Sequence, residues 1–255
     1  MSEFRHNSAA AQHDAKATSA QRLPAGARID RHRHAEDQIV YTSSGAAEVH
    51  TDAGHWIAPG DRAIWIPAGC WHEHDFYGPT RFHTVAFPPE RLPHRRTPAV
   101  ISVQPLLREL IIVCSDPRDL PANEVERLRQ VLLDQLDRSP EEPLRLPAAQ
   151  DDRLRRTCDL VAEDLTVQWT LPELGRVVGA GERTLTRLFR SEFAMTYPQW
   201  RTQLRLHRAV QLLAGGAAVT AVAHRCGWAT PSAFIDVYRK TLGHTPGDYH
   251  VAGMR

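Results

Sequence analysis

Lysine is nearly missing from this chain of 255 residues: Lys16 and Lys240 are the two lysines among 31 basic residues. The other cations are guanidinium groups, which stay charged in proteins and present a planar fork of donors. Cysteine is scarce as well. The four, at 70, 114, 158 and 226, lie far apart with no C-x-x-C pair. That spacing excludes a thiolate zinc site and a disulfide scaffold and fits a reducing compartment. No apolar run approaches the roughly 20 residues of a membrane span, and the first 23 residues lack the apolar core of a signal peptide. The expected location is the cytoplasm, with no membrane partner.

Net charge is also small, +1 overall, but it is unevenly placed. From Asp151 onward there are 14 basic and 10 acidic residues; the first 150 hold 17 and 20. The length allows two ordinary domains, each with its own core. Hydrophobic periodicity divides the chain in the same place, with alternating patterns before and helical patterns after.

The helical part contains an internal repeat. LPELGRVVGAGERTLTRLFRSEF (Leu171 to Phe193) and VTAVAHRCGWATPSAFIDVYRKTLG (Val219 to Gly243) each read as a short helix, a tight turn and a second helix. Superposition sets Gly175 on Ala223, where the helices of a unit cross, and Gly179 on Gly227 in the turn, a natural site for positive φ. Thr170 to Glu173 spells a capping box, and Thr230-Pro231 an N-cap followed by proline. Between the units, Tyr197 to Leu213 predicts a helix of roughly 25 Å at 1.5 Å per residue. That is a suitable spacer for two helices entering successive major-groove faces about 34 Å apart.

From about Asp151 to His250 the chain resembles the two-unit DNA-binding domain of the AraC family of bacterial transcription regulators. The matching residues are Leu185, Arg187 and Phe189; Arg205, Leu206 and Ala209; Val222, Ala223, Gly227 and Trp228; Ser232 and Phe234; and Gly243, Thr245 and Pro246. Gly181 stands where a serine often caps the first recognition helix, and His250 where a basic residue is usual. The resemblance implies a double-stranded DNA operator as partner. It places Arg183, Thr186 and Arg187 on the groove face of the first unit. In the second unit it places Ser232, Ala233, Ile235 and Asp236 there, with Arg239 and Lys240 attracting the DNA backbone.

Before this domain, short β-branched and aromatic runs at Ile39 to Thr42, Ala47 to Thr51, Gly54 to Ala58, Ala63 to Ile66 and Phe82 to Phe87 are separated by turn residues. Such spacing predicts a small all-β barrel. Here the chain resembles the cupins. One motif is Gly26, five residues, His32-Arg33-His34, three residues, Gln38, six residues and Gly45; the other is Gly60, six residues, Pro67-Ala68-Gly69, two residues and His72. The resemblance implies an N-terminal cupin sensor barrel joined to the C-terminal all-α domain. It makes His32, His34, Gln38 and His72 the candidate metal ligands, and these with His74 the candidate effector pocket. Strand parity independently puts His32, His34 and Gln38 on one face if their pairing is continuous. Three imidazoles and an oxygen suit Zn²⁺, Ni²⁺, Fe²⁺ or Mn²⁺; Gln38 in place of Glu offsets less of the metal's charge. A pocket of histidines that hydrogen-bond a small organic effector is the plainer alternative.

Two more helices are predicted, Gln104 to Val113 and Asn123 to Leu136, the second capped at Asn123. Their wide apolar faces suit either core packing or a homodimer contact, and a homodimer is expected. The domain plan is therefore a disordered tail (1–22), a barrel (23–97), a helical dimerisation and coupling segment (98–136), a Pro- and acid-rich linker (137–151) and the DNA-binding domain (152–250). A ligand- or metal-responsive transcription regulator is the expected function, with no catalytic residues. The alternative is a cupin metalloenzyme fused to a DNA reader.

Overall fold

The computed structural model describes residues 17–142 and 144–247. The chain divides into two compact units. The first is Met1–Thr51 with Ala58–Glu142, the second Asp52–Ile57 with the stretch from residue 143 onward.

Strands of the first unit in chain order are β1 (Ser19–Leu23), β2 (Arg28–His32), β3 (Asp37–Thr51), β5 (Arg62–Ile66), β6 (His72–Phe87), β7 (Ala99–Ser102) and β8 (Glu141–Glu142); β4 (Gly54–Ala58) intervenes and groups with the second unit except for its last residue. The sheet order is β1-β6-β3-β5-β7-β8, with β2 also on β6. β3 and β6 run antiparallel along their length, from Asp37↔Phe87 to Thr51↔His72. Two register shifts, at Thr42/Ser44 and Ser44/Ala46, interrupt them. A bulge of this kind bends a strand and re-aims side chains. Gly45 permits the bend: its φ is +74°, and a Cβ there would meet Thr80 Oγ1 at 2.3 Å.

Helices α1 (Pro105–Ser115) and α2 (Ala122–Arg138) follow β7. Leu107, Leu110 and Ile111 of α1 and Leu132, Leu133 and Leu136 of α2 form one core with Ile39, Tyr41, Trp65, Val85 and Phe87 of the sheet. The apolar faces of the pair therefore serve the core, while Leu106, Val113 and Val131 remain exposed. Arg95 joins helix to sheet. Its guanidinium donates to the carbonyls of Leu136 and Ser139 at the end of α2 and to Glu141.

The second unit pairs β4 with β9 (Arg145–Pro147) and continues through α3 (Asp152–Glu163), α4 (Leu171–Val178), α5 (Glu182–Phe193), α6 (Tyr197–Ala214), α7 (Val219–Arg225) and α8 (Pro231–Leu242). The expected capping box forms, with Thr170 accepting from the Glu173 amide and Glu173 reaching back to Thr170. Thr196 and Gln199 make a second one at the start of α6, each cap contributing about 1 kcal/mol. Thr230 accepts from the Ala233 amide to start α8. A Cβ at Gly175 would sit 2.3 Å from the carbonyl oxygen of Ala180, so the helices of the first unit can meet there only over hydrogen.

Several sequence expectations need correction. The tail does not extend to residue 22, because Ser19–Leu23 pairs with Thr80–Thr84 of β6; its first 16 residues lie outside those described, as does His250. The separate runs at 39–42 and 47–51 are one bent strand, and 82–87 is the end of a strand that begins at His72. Barrel pairing also passes residue 97, since β7 pairs with β5. Helix α2 begins after Pro121, so Asn123 is inside it and no side chain caps it. The stretch 137–151 is no free linker: it finishes α2, contributes β8 and β9, and buries Leu144. Its prolines and acids hid two short strands whose partners lie far away in sequence.

Two turn glycines separate strain from steric conflict. Gly179 and Gly227 both have φ above +70°, but a Cβ at Gly179 meets nothing within 4 Å while one at Gly227 would lie 2.0 Å from the Leu165 carbonyl oxygen. Gly179→Ala should cost about 1–3 kcal/mol from backbone strain alone. Gly227→Ala should cost clearly more by chemical denaturation, and equal losses would show that the second turn relaxes without cost.

Candidate DNA interface and histidine site

Helix α5 buries Leu185, Leu188, Phe189 and Phe193, which leaves its other face in solvent. Arg183, Thr186 and Arg187 are exposed there, as expected. They line a shallow groove of about 660 Å³ together with Thr184, Arg190 and Ser191. These last three are an addition. Arg190 and Ser191 continue the same helical stripe one turn on from Arg187, so the spacing of 183, 187 and 190 already carried the signal. Among the described residues none of the three arginines has a carboxylate partner, so their in-plane donors face outward unopposed.

Helix α8 differs. Ser232 and Asp236 are exposed, Ala233 and Ile235 half-buried, and Arg239 and Lys240 exposed. Asp236 lies 3.5 Å from the Arg239 guanidinium, one turn on, so the second face offers less positive charge. Arg201 and Arg205 of α6 work inside the unit. Arg201 donates to the carbonyls of Leu165 and Val167. Arg205 donates to the Gly227 carbonyl, with its guanidinium 5.0 Å above the Trp228 ring.

In the first unit the strands bring four imidazoles together. His72 is the hub: ring centroids lie 4.2 Å away for His32, 5.0 Å for His34 and 5.1 Å for His74. One ligand atom each from His32, His72 and His74 lies within 4.8 Å of the others. His34 and Gln38 are not on the same strand as His32, contrary to the parity argument: β2 ends at His32 and β3 begins at Asp37. The intervening residues turn His34 back, leaving its Nε2 3.3 Å from Gln38 Oε1. The Gln38 amide nitrogen donates to the Ala17 carbonyl. His74 is fully enclosed and belongs to the cluster more closely than Gln38 does.

Backbone carbonyls set the tautomers. His32 Nδ1 lies 2.8 Å from the Asp30 oxygen, His34 Nδ1 2.6 Å from that of Glu36 and His72 Nδ1 2.9 Å from that of Cys70. A carbonyl only accepts, so Nδ1 of His32 and of His72 carries the proton and each of these two rings, when neutral, presents the lone pair of Nε2; His34 differs, because its Nε2 also faces an acceptor, the Gln38 amide oxygen. His72 Nε2 is buried with no hydrogen-bond partner, as is His74 Nδ1. Burial, with the nearby His32 and His34, outweighs the Cys70 carbonyl and pulls the His72 pKa to about 4. Burial likewise holds His32 low and His74 well below the usual range. A neutral ring such as His72, with one nitrogen fixed by a carbonyl and the other unmet, fits a divalent transition metal, whose histidine ligands are held in this way.

His83 forms a separate polar contact on the helix side of the sheet. Its two nitrogens lie 2.9 Å from Ser43 Oγ and 2.9 Å from Ser115 Oγ. Burial, reinforced by Arg81 and Arg108, brings it to about 4.

The chain has relatives with this arrangement. Residues 174–251 match the family model of a helix-turn-helix domain and residues 19–87 that of a cupin domain. Two helix-turn-helix units on one spacer helix, preceded by a cupin, define a DNA-binding transcription regulator with a sensor-type domain. Over 221 residues the chain is 31% identical to the HTH-type transcriptional regulator NimR of Escherichia coli K12, covering 86% of this chain and 81% of that one. The regulator GadX of the same strain is 32% identical over 108 residues, 42% of this chain and 39% of its own. The crystal structure of a DNA-binding transcriptional dual regulator from Escherichia coli K-12 is similar over 42% of this chain and 98% of its own, at 29% identity and TM-score 0.38. This chain belongs to the AraC family of transcription regulators. No helix among the described residues is long and apolar enough to cross a membrane.

The depressed histidines set a pH dependence. His72 and His83 titrate near 4 when folded against 6.5 in the ordinary case, so between these values the unfolded chain holds more protons. Stability is then fully present above about pH 6.5 and falls as pH drops toward 4. Thermal midpoints recorded from pH 7 to pH 5 should decline. A flat profile would show that burial does not hold these rings neutral.

Proposed function

We propose that α5 reads operator sequence through Arg183, Arg187 and Arg190, that α8 adds weaker contacts, and that the histidine site makes the regulator respond to a metal or small effector. The unpaired arginine stripe of α5 carries the first part. Guanidinium forks pair with guanine O6 and N7, each bidentate pair contributing about 1–3 kcal/mol of discrimination. Thr186 and Ser191 add hydrogen bonds, while Ser232, Ala233, Ile235 and Asp236 of α8 offer a thymine-methyl contact and an acceptor for cytosine. Arg239 and Lys240 serve the phosphates. On a duplex selected from random DNA by the full-length protein, Arg183→Ala and Arg187→Ala should lose about 5- to 150-fold in affinity. The loss should be much smaller on scrambled DNA; equal losses would reduce these residues to phosphate contacts. Asp236→Asn frees Arg239, and binding to both duplexes should then tighten and depend more steeply on salt.

His32, His72 and His74, with His34 and Gln38 beside them, would hold Zn²⁺, Ni²⁺, Fe²⁺ or Mn²⁺, or accept donors from an organic effector. A bound cation would supply a charge that draws these rings into one fixed arrangement. The reading is of a sensor rather than an enzyme, because a regulator needs only a difference in affinity between two states. Oxygen uptake or product formation by the Fe²⁺-loaded protein with small acids would establish the enzymatic alternative instead. Location in the cytoplasm accords with four free thiols.

A homodimer completes the proposal. Leu106 and Val113, two turns apart on α1, and Val131 on α2 are exposed to 55%, 37% and 40%. A second copy burying them would contribute the two-fold symmetry common among regulators. Sedimentation of the wild type should give a dimer, and Leu106→Glu with Val113→Glu a folded monomer; an unchanged mass would move the interface elsewhere.

A further inference from the structure

We infer that the ribbon of β4 and β9 carries the state of the histidine site to α6, the helix that spaces the two readers. The inference rests on the proposal that the site changes state when it binds, and it names the path by which that change leaves the barrel.

The first support is where β4 belongs. In sequence it lies between β3 and β5, which pair directly with each other in the cupin sheet. Yet Asp52–Ile57 groups with the DNA-binding unit. Its partner there is β9, in the register Gly54↔Pro147, His55↔Leu146 and Trp56↔Arg145, extended by the Ala148 amide donating to the Ala53 carbonyl. The contact is close. Gly54 has φ +143°, and a Cβ on it would meet the Leu146 carbonyl oxygen at 2.3 Å.

The ribbon then packs on α6. Ile57, Leu144 and Leu146 face Gln203, Leu206 and Val210 of α6 and Leu242 of α8 around a gap of about 10 Å³, too small to let the layers slide freely. Close-packed side chains pass on displacement rather than absorb it.

At its other end the ribbon is tied to the imidazoles. Thr51, the last residue of β3, is the register partner of His72, and Val49 that of His74. Asp52 and Ala53 are all that separate Thr51 from Gly54. A shift of His72 or His74 on binding moves their β3 partners, then β4, then β9 and the middle of α6. Turning or translating α6 changes how α5 and α8 present together to one duplex.

Hydrogen–deuterium exchange of the full chain tests this with two separate perturbations of the site: Zn²⁺ added to the wild type, and the metal-free variant His72→Gln, with His74→Gln in reserve should the first not fold. Either should change exchange at residues 49–51 and also, by about five-fold or more, at 144–148 and 203–210. In a Gly54→Ala background the change at 49–51 should persist and the distant changes should vanish. Leu146→Ala, which thins the packing on α6 without straining the backbone, should do the same if Gly54→Ala does not fold. Changes confined to the barrel, or distant changes that survive both ribbon variants, would overturn the inference. Should Zn²⁺ leave residues 32–34 and 72–74 unaffected, the metal reading alone fails, and the His72→Gln arm still decides the relay.

Discussion

The antiparallel register between β3 and β6 constrains nearly everything in the first unit. Side chains alternate along a strand, so pairing Thr51 with His72 fixes which face each later residue of β6 occupies. His72, His74 and Phe76 fall on one face and are buried, while Glu73, Asp75 and Tyr77 fall on the other. The bends at Ser44 and Gly45 then allow the same pair of strands to bury His83 and Tyr41 toward α1 and α2. A slip of one residue would exchange the imidazoles for carboxylates, and the site would be lost with it.

Burial gives these imidazoles their chemistry. An enclosed ring is held neutral because solvating its charge is no longer possible, and a carbonyl at Nδ1 then dictates that Nε2 bears the lone pair. The same arrangement repeats at His32 and His72, from two different backbone partners. The DNA-binding unit follows the opposite rule. Its stripe of arginines on α5 is exposed and unpaired, whereas Arg201 and Arg205 use their donors on carbonyls of their own unit. Position relative to the core, not residue type, separates exposed arginine from brace.

Glycines mark where backbones must come close. Gly175 lets α4 approach the turn before α5, Gly227 lets the second turn approach Leu165, and Gly54 lets β4 lie against β9. The first two were readable from the internal repeat. The third was not, since its partner strand is 93 residues away at Pro147 and nothing local announces it.

Local signals along the chain specify the DNA-binding domain almost completely. Helix periodicity, capping boxes and turn glycines are local signals, and α4 to α8 begin and end close to where those signals stand. The sequence also specifies the cupin motifs and their histidines, because spacing along the chain identifies them. Tertiary structure alone decided how those histidines assemble. His32 and His34 are separated by a break in pairing, and His74 joins the cluster because β6 is one long strand rather than two short ones. It likewise decided that residues 137–151 contribute strands and that β4 pairs with β9. Strand pairing is a contract between distant segments, and short strands carry too little local pattern to name their partners; helices complete their hydrogen bonds within themselves, and so can be read one at a time.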